Sequence, residues 1–376
     1  MSSTVVPKYL AISRELESRI NEGRLGDGKV PSSRQIAGEH GVSLVTASRA
    51  LQVLRDKGLI RTVDRSGSYI ARPEPRPSGS SSWALCLRTT PGPWYHASIS
   101  VTRDGFDALA GRLPGPRVDV ETLDLREVPP PAELRRRVRS AAEAGIAGVF
   151  LLPSRHSPEA TREDEAILDA FRSSGMPVVL LERNLRGHAR PLAYDLVSVD
   201  DLDGGLQCTR HLLGSGRSRV AFVTGSPTSS HDGRMAGYFS AIHQAAAAEG
   251  RAAAPIVFEE SPGLPRKAAY QELAVRALAG RVDGLVCYQD YTAIGVIMEL
   301  LTRKARVPAD VAITGFDDLP IGNSFALGVT TYRFPSEAVA REAIRLMRRR
   351  IEEPGAPPVH VSVPGGLIVR ESSVSP

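Results

Sequence analysis

Two sets of polar residues have the types and spacing for recognition chemistry. The first lies near the N-terminus, in "GVSLVTASRALQVLRDKG", residues 41–58. Thr46, Ser48 and Arg49 put hydroxyls and a guanidinium close together, and such donors and acceptors pair with the edges of bases. Arg34 upstream and Arg65 downstream are placed to hold phosphate oxygens. The second set is scattered, but each member follows an apolar run. It comprises Ser154-Arg155, Glu182-Arg183, Asp200-Asp201, Ser226 to Arg234, Gln289-Asp290 and Asp317-Asp318. Paired acceptors and bidentate donors of this kind suit vicinal hydroxyls or another small polar ligand. Trp94, Tyr95 and His96 form the densest aromatic cluster. They fit either a platform stacked on a sugar face or ordinary loop packing.

The elements that must position the first set are legible from periodicity. Tyr9, Leu10, Ile12, Leu16 and Ile20 line one face of a helix that Gly23 closes. Ser32, with Gln35 three residues on, predicts a capped second helix with Ile36 and Ala37 inward. "GVS" turns the chain, and Ser43 caps a third helix from Leu44 to about Lys57. Ala47, Ala50, Leu51 and Leu54 face the core; Val45, Thr46, Ser48, Arg49 and Gln52 include the outward positions, and Gly58 stops the helix. The strand-like runs "LIRTV" and "SYIA", joined by "DRSG", add a two-stranded wing. This is a winged helix-turn-helix, whose second helix of the pair enters the major groove with its N-terminal residues nearest the bases.

Charge agrees with that expectation. Residues 1–72 hold 12 Lys and Arg against 7 Asp and Glu, whereas the remainder holds 35 of each. The whole positive excess therefore lies in the first fifth of the chain, as suits a polyanion-binding head on a neutral body.

Residues 73–82, within "RPEPRPSGSSS", carry no apolar periodicity and form a connector without a clear helical signal. Beyond it, in 83–376, short apolar runs alternate with helical stretches from "WALCL" to "DVAITGFDD". That rhythm predicts an α/β body of parallel sheets flanked by helices, with ligands beyond the carboxyl ends of the strands. Its length calls for two lobes with a cleft between them.

Catalytic patterns are absent: there is no GxSxG, no HExxH, no P-loop and no GxGxxG after a strand. The histidines are scattered, "LGSGRS" is a helix-to-strand turn, and "RLMRRRIEE" has the look of a solvated basic face. No enzyme activity, metal or cofactor is expected. No apolar run approaches a membrane span, and the amphipathic N-terminus lacks the apolar core of a signal peptide. Cys86, Cys208 and Cys287 lie far apart in apolar segments, as buried thiols in a reducing cytoplasm would.

The head resembles the GntR family of bacterial repressors in "KYLAISRELESRI", "VPSSRQIA", "GVSLVTASRAL", "VLRDKGLI" and "RSGSYIA", about 65 residues. The resemblance implies that Arg34 contacts the DNA backbone, that Ser43 to Arg49 faces the groove, and that Gly67 lets the wing approach the minor groove. Leu44 stands where that family usually has Arg, and Arg65 where the wing often has its first Gly. The body resembles the LacI-type effector domain, a two-lobed periplasmic-binding-protein-like fold. The pieces include "PVVLLERN", "SVDDLDGGLQCTRHLLGSGRSRVAFVTGS", "DGRMAGYFSAI", "VDGLVCYQDYTAIGVIMELLTRKARVPADVAITGFDDLP" and "GGLIVRESS". It implies that Arg234 clamps a ligand, that Asp290 caps its hydroxyls and that Ser230 is a further contact; Gln289 stands where Asn is usual. Arg155, Trp94 and Tyr95 complete the candidate ligand set. The lobes are expected at 83–195 with 320–348, and at 196–319 with 349–376.

Together the resemblances imply a transcription regulator, a repressor released by a sugar-like ligand, acting as a homodimer on a near-palindromic operator. The alternatives are a cytoplasmic sugar-binding protein and a sugar-processing enzyme with a regulatory appendage.

Overall fold

The structure, a computed structural model, describes residues 8–21, 29–56, 60–63, 67–70, 82–88, 96–109, 117–119, 123–125, 127–154, 157–185, 192–225, 228–261, 263–324 and 327–374. The chain divides into two units, Met1–Ser80 and Ser81–Pro376.

The first unit runs α1 (Lys8–Asn21), β1 (Lys29–Val30), α2 (Ser33–His40), α3 (Leu44–Asp56), β2 (Ile60–Val63) and β3 (Gly67–Ile70). Its helices start where the local chemistry dictates. The Ser32 hydroxyl accepts from the Gln35 amide at 3.3 Å, and the Gln35 side chain accepts from the Ser32 amide at 2.8 Å, closing the expected capping box. Gly41 ends α2 at φ 58°, where a side chain would be strained. The Ser43 hydroxyl then caps α3 by accepting from the Thr46 amide at 3.1 Å. Ile12, Leu16, Ile36, Ala47, Ala50, Leu51, Leu54 and Ile60 are buried together, so the expected inward faces form one core. The sheet has three strands in the order β1-β3-β2, all antiparallel. The added strand β1 is two residues long, too short to leave an alternating pattern, and exists only because Lys29 and Val30 pair with Tyr69 and Ser68.

The second unit begins with β4 (Ser82–Leu87), so Ser82, expected in the connector, is a buried strand residue. It continues through α4 (His96–Leu109), β5 (Arg117–Asp119), α5 (Pro131–Glu143), β6 (Ile146–Leu152), α6 (Pro158–Ser173), β7 (Val178–Leu181) and β8 (Asp195–Val199). Then follow α7 (Asp201–Gly214), β9 (Val220–Thr224), α8 (Ser229–Ala248), β10 (Ile256–Glu259), α9 (Arg266–Ala279), β11 (Gly284–Cys287), α10 (Asp290–Thr302), β12 (Ala312–Asp317), α11 (Pro320–Ser324) and β13 (Thr330–Arg333). The last elements are α12 (Ser336–Glu352), β14 (His360–Val363) and β15 (Gly366–Ile368).

Two six-stranded sheets result. The first, β14-β8-β7-β6-β4-β5, is parallel throughout; the second, β10-β9-β11-β12-β13-β15, is parallel except for β13 with β15. Every residue of β7, β8, β9 and β11 is buried, as strands covered on both faces must be. This corrects the expected lobes. Strand β8 belongs to the first sheet although residues from 196 onward were expected in the second lobe. Strand β13 pairs with β12, not with the first lobe, and β14 pairs with β8, not within the second. The chain thus changes sheet after Val199, Arg333 and Val363. Apolar runs tell that a strand is buried but carry no address for its neighbour, which is why the crossings were misplaced.

The basic run in α12 is only partly a solvated face. The Arg350 guanidinium donates to Asp195 at 2.8 Å, and Arg349 lies 3.6 Å from the same fully buried carboxylate. The three cysteines are buried and unbridged; burial pushes the Cys86 and Cys208 thiols up to about 12.

Candidate functional site

On the first unit, the outer face of α3 carries Ser43, Leu44, Val45, Ser48 and Arg49 exposed, with Thr46 half-buried; Arg34 on α2 is exposed as well. The Ser43 and Thr46 hydroxyls lie 2.9 Å apart, so part of their bonding is spent on each other. The Arg49 guanidinium lies over the Tyr9 ring at 4.5 Å, which holds its planar donors against α1 without burying them. Gly67 opens β3 opposite Val63. Arg65 lies outside the described residues.

In the second unit, strand ends of both sheets converge on Arg234. Helices α7 and α8 pack with their backbones almost touching. A Cβ at Gly205 would lie 1.9 Å from the Arg234 carbonyl oxygen, and one at Gly237 2.1 Å from that of Leu202. This approach brings Arg234 onto the first turn of α7, just past β8. Its Nε donates to Asp201 at 2.7 Å, one Nη to the Tyr288 carbonyl beyond β11, and the other to Asp317 at the end of β12, at 3.4 Å. The guanidinium also stacks 4.3 Å above the Phe316 ring, and the residue is only 6% exposed. Burial opposes its charge, but the carboxylates of Asp201, Asp317 and Glu182 outweigh that cost and raise its pKa. Burial also pushes Asp201 up to about 7, against the pull of Arg234.

Asp290 opens α10 and is completely buried. It does not cap the helix. Its Oδ2 accepts from the Leu319 amide at 2.8 Å, tying α10 to the turn after β12, while Oδ1 has no hydrogen-bond partner of ordinary geometry. Gly315 makes this possible, since a Cβ there would lie 2.3 Å from Oδ1. Burial, then the nearby Asp317 charge, raises the Asp290 carboxyl well above its ordinary range. The turn itself is strained: Asp317 and Asp318 sit at φ 98° and 54°, the left-handed region that side chains disfavour. Asp318 is held there by Arg333 at 2.8 Å and Arg370 at 2.6 Å.

Ser230 joins the two halves. Its hydroxyl donates to the Glu182 carbonyl beyond β7 at 2.9 Å, and the Asn184 amide donates to the neighbouring Ser229 hydroxyl at 3.0 Å. Glu182, at φ 61°, receives the Thr102 hydroxyl on its carboxylate; burial raises its pKa although Arg183 lies 3.8 Å away.

Of the expected ligand set, the structure brings together Ser230, Arg234 and Asp290, with Glu182, Asp201 and Asp317 around them. Trp94, Tyr95 and Arg155 lie outside the described residues. Ser154 goes elsewhere: its hydroxyl donates to Asp164 at 2.8 Å, and Asp164 accepts from the buried Arg88 at 3.1 Å. Sequence reasoning missed the aromatic and acidic support behind the site. The Tyr288 hydroxyl donates to Glu260 at 2.9 Å, the Thr292 hydroxyl donates to the other Glu260 oxygen at 2.9 Å, and His231 packs against Tyr288 with centroids 4.4 Å apart. The Gln289 amide donates to the Tyr288 hydroxyl at 3.1 Å, so it is occupied within this layer. The only signal for Glu260 was its place just after "PIVFE". Carboxylates outnumber guanidiniums in the cluster, which suits a ligand rich in hydroxyl donors better than an anion. Among the described residues no group of three His, Cys, Asp or Glu is arranged to hold a metal, and no helix is long and apolar enough to cross a membrane.

Comparison with known proteins gives two family matches. Bacterial regulatory proteins of the gntR family match residues 8–70, and the periplasmic binding protein-like domain matches residues 209–373. The arabinose metabolism transcriptional repressor of Geobacillus stearothermophilus is 24% identical over 358 residues, 94% of this chain and 93% of that one. The HTH-type transcriptional regulator CelR of Thermobifida fusca is 29% identical over 234 residues, 60% of this chain and 63% of that one. A solved structure of a transcriptional regulator CelR–cellobiose complex superposes with a TM-score of 0.60 at 22% identity, covering 97% of this chain and 98% of that one. The last likeness concerns the fold.

Proposed function

We propose that this chain, which joins a gntR-family DNA-binding head to a periplasmic-binding-protein-like body, is a transcription regulator whose operator affinity is set by a small carbohydrate. One observation carries the proposal: a basic helix-turn-helix with an exposed recognition face shares a chain with an acceptor-rich cluster where two parallel sheets meet. A relative matched along nearly the whole chain is named an arabinose metabolism transcriptional repressor, which supports the same reading.

In this reading Ser43, Thr46, Ser48 and Arg49 face the major groove, Arg34 and Arg65 hold phosphates, and Gly67 brings the wing to the minor groove. Two copies bind a near-palindromic operator, because a symmetric dimer presents symmetric half-sites. In the body, Arg234 and Asp290 meet ligand hydroxyls, and Trp94, Tyr95 and Arg155 complete the candidate ligand set. A guanidinium already committed to Asp201, Asp317 and the Tyr288 carbonyl offers its remaining donor capacity in a fixed direction. Ser230 spans the two halves, so a ligand that moves one half strains or reinforces its bond to Glu182. Ligand acts by favouring one arrangement of the halves, and operator affinity follows through linkage. The protein works as a cytoplasmic repressor that ligand releases, and it turns nothing over.

A thermal-shift screen against pentoses, hexoses, disaccharides, uronates, polyols and nucleosides tests this. A ligand at a hundred times its dissociation constant stabilises the fold by about 2.7 kcal/mol. A neutral sugar that raises the melting temperature, with no shift in Arg234→Ala, is the expected result. Responses confined to uronates would contradict the acceptor-rich site.

A further inference from the structure

Leu44 and Val45 are 52% and 77% exposed. Both are large apolar side chains left in solvent on a head whose other exposed helix positions are mostly polar. The core does not need them. Helix α3 already buries Ala47, Ala50, Leu51 and Leu54, each at 5% exposure or less. Nor does helix formation favour Val45, since a β-branched valine in the first turns is a weaker helix former than the lysine or glutamine such a surface ordinarily carries. The polar residues beside them are partly engaged with one another or with α1. Ser43 and Thr46 bond to each other, and Arg49 lies over Tyr9. The first turn of α3 thus presents an apolar pair at its tip, flanked by hydroxyls.

In a helix-turn-helix this turn is the part nearest the base edges. The major groove offers one apolar group of its own, the 5-methyl of thymine. The basic excess of the head brings the same turn to DNA and not to an apolar partner. We infer that Leu44 and Val45 read thymine methyl groups, so that each half-site carries thymines facing this turn and part of its specificity is hydrophobic. This rests on the DNA-binding reading above. A large apolar side chain at position 44 also excludes the bidentate guanine contact that an arginine there would make.

The test uses the full-length protein. Operators are first selected from a random duplex pool; in the selected site each thymine is then replaced singly by deoxyuridine, which removes the methyl and keeps every hydrogen-bonding group. Affinity is measured by fluorescence anisotropy. The expected result is an approximately fourfold loss at one or two thymines per half-site, the value of one buried methyl. That loss should vanish in the Leu44→Ala, Val45→Ala double variant. Leu44→Arg, put through the same selection, should exchange one of those thymines for guanine. Deoxyuridine tolerated at every position by the wild type overturns the inference while leaving DNA binding intact, as does a loss that persists unchanged in the double variant. A pool that yields no enriched duplex overturns both this inference and the function on which it rests.

Discussion

Arg49 and Arg234 are built alike and used differently. Each sits on the second helix of a closely packed pair, and each guanidinium lies over an aromatic ring, at 4.5 Å from Tyr9 and 4.3 Å from Phe316. Arg49 is exposed, keeps its hydration and meets no carboxylate among the ion pairs of the described residues. Arg234 is buried and bound to Asp201 and Asp317. An exposed stacked arginine is worth about 0.5–1 kcal/mol to the fold and can be drawn onto a polyanion at little cost. A buried one has lost its water in advance. Its geometry is fixed in advance, so under the proposed function it would accept a ligand only where that ligand completes the hydrogen bonds left open.

The comparison breaks most visibly at Arg234. Arg234→Ala leaves the Asp201 carboxylate buried without its partner, and should destabilise the body by about 3–5 kcal/mol in a denaturant titration, together with loss of the sugar response. A change below roughly 1 kcal/mol would mean that the pair is hydrated and that the contrast with Arg49 is false. Arg49→Ala should do the reverse. Operator binding should weaken by about 1–3 kcal/mol, read as a shift in an anisotropy titration, while the fold loses no more than about 0.5–1 kcal/mol. Equal loss of stability would make Arg49 a packing residue.

Asp290 sharpens the contrast through pH. Burial first, and Asp317 second, raise its carboxyl in the folded state. The folded protein therefore holds this proton more tightly than the unfolded chain does. The stability so gained is complete below the ordinary carboxylate range near pH 4, and is lost as pH rises toward the folded-state value. Asp290→Asn escapes that loss. The variant should melt level with the wild type near pH 4 and about 2–4 °C above it at pH 7, the scale of roughly 1 kcal/mol, although it no longer binds ligand. A wild type that gains on the variant as pH rises would show the carboxylate to be fully compensated.

Local chemistry was the legible part of this molecule. Ser32 with Gln35, Ser43 before α3, and the inward faces of α1 and α3 depend on residues three or four apart, so the chain declares them directly. The alternation of the body was equally plain, because covered parallel strands are apolar throughout. What failed depends on distant partners. Strand β1 exists by pairing across 38 or more residues, and the sheet membership of β8, β13 and β14 follows crossings that no apolar run encodes. Within the site, Arg234 and Asp290 were found through resemblance and position after strands. Tyr288 and Phe316 lie within apolar strand runs and are buried, and they serve the site by their buried faces. Ser154 satisfied the same positional rule as Ser230 but belongs to the Arg88–Asp164 pair, because the rule names strand ends without saying which ends converge.

The proposed function requires that a ligand held by the buried cluster change the grip of the exposed helix on DNA. Its most direct test is the operator dissociation constant of the full-length protein, measured by anisotropy with and without a saturating sugar that stabilises the body. Coupling of this kind is worth typically 1–3 kcal/mol, so the operator should be released about 5- to 150-fold more readily in the presence of sugar, and the effect should be absent in Arg234→Ala. A sugar that binds the body tightly and leaves the operator affinity unchanged would contradict it.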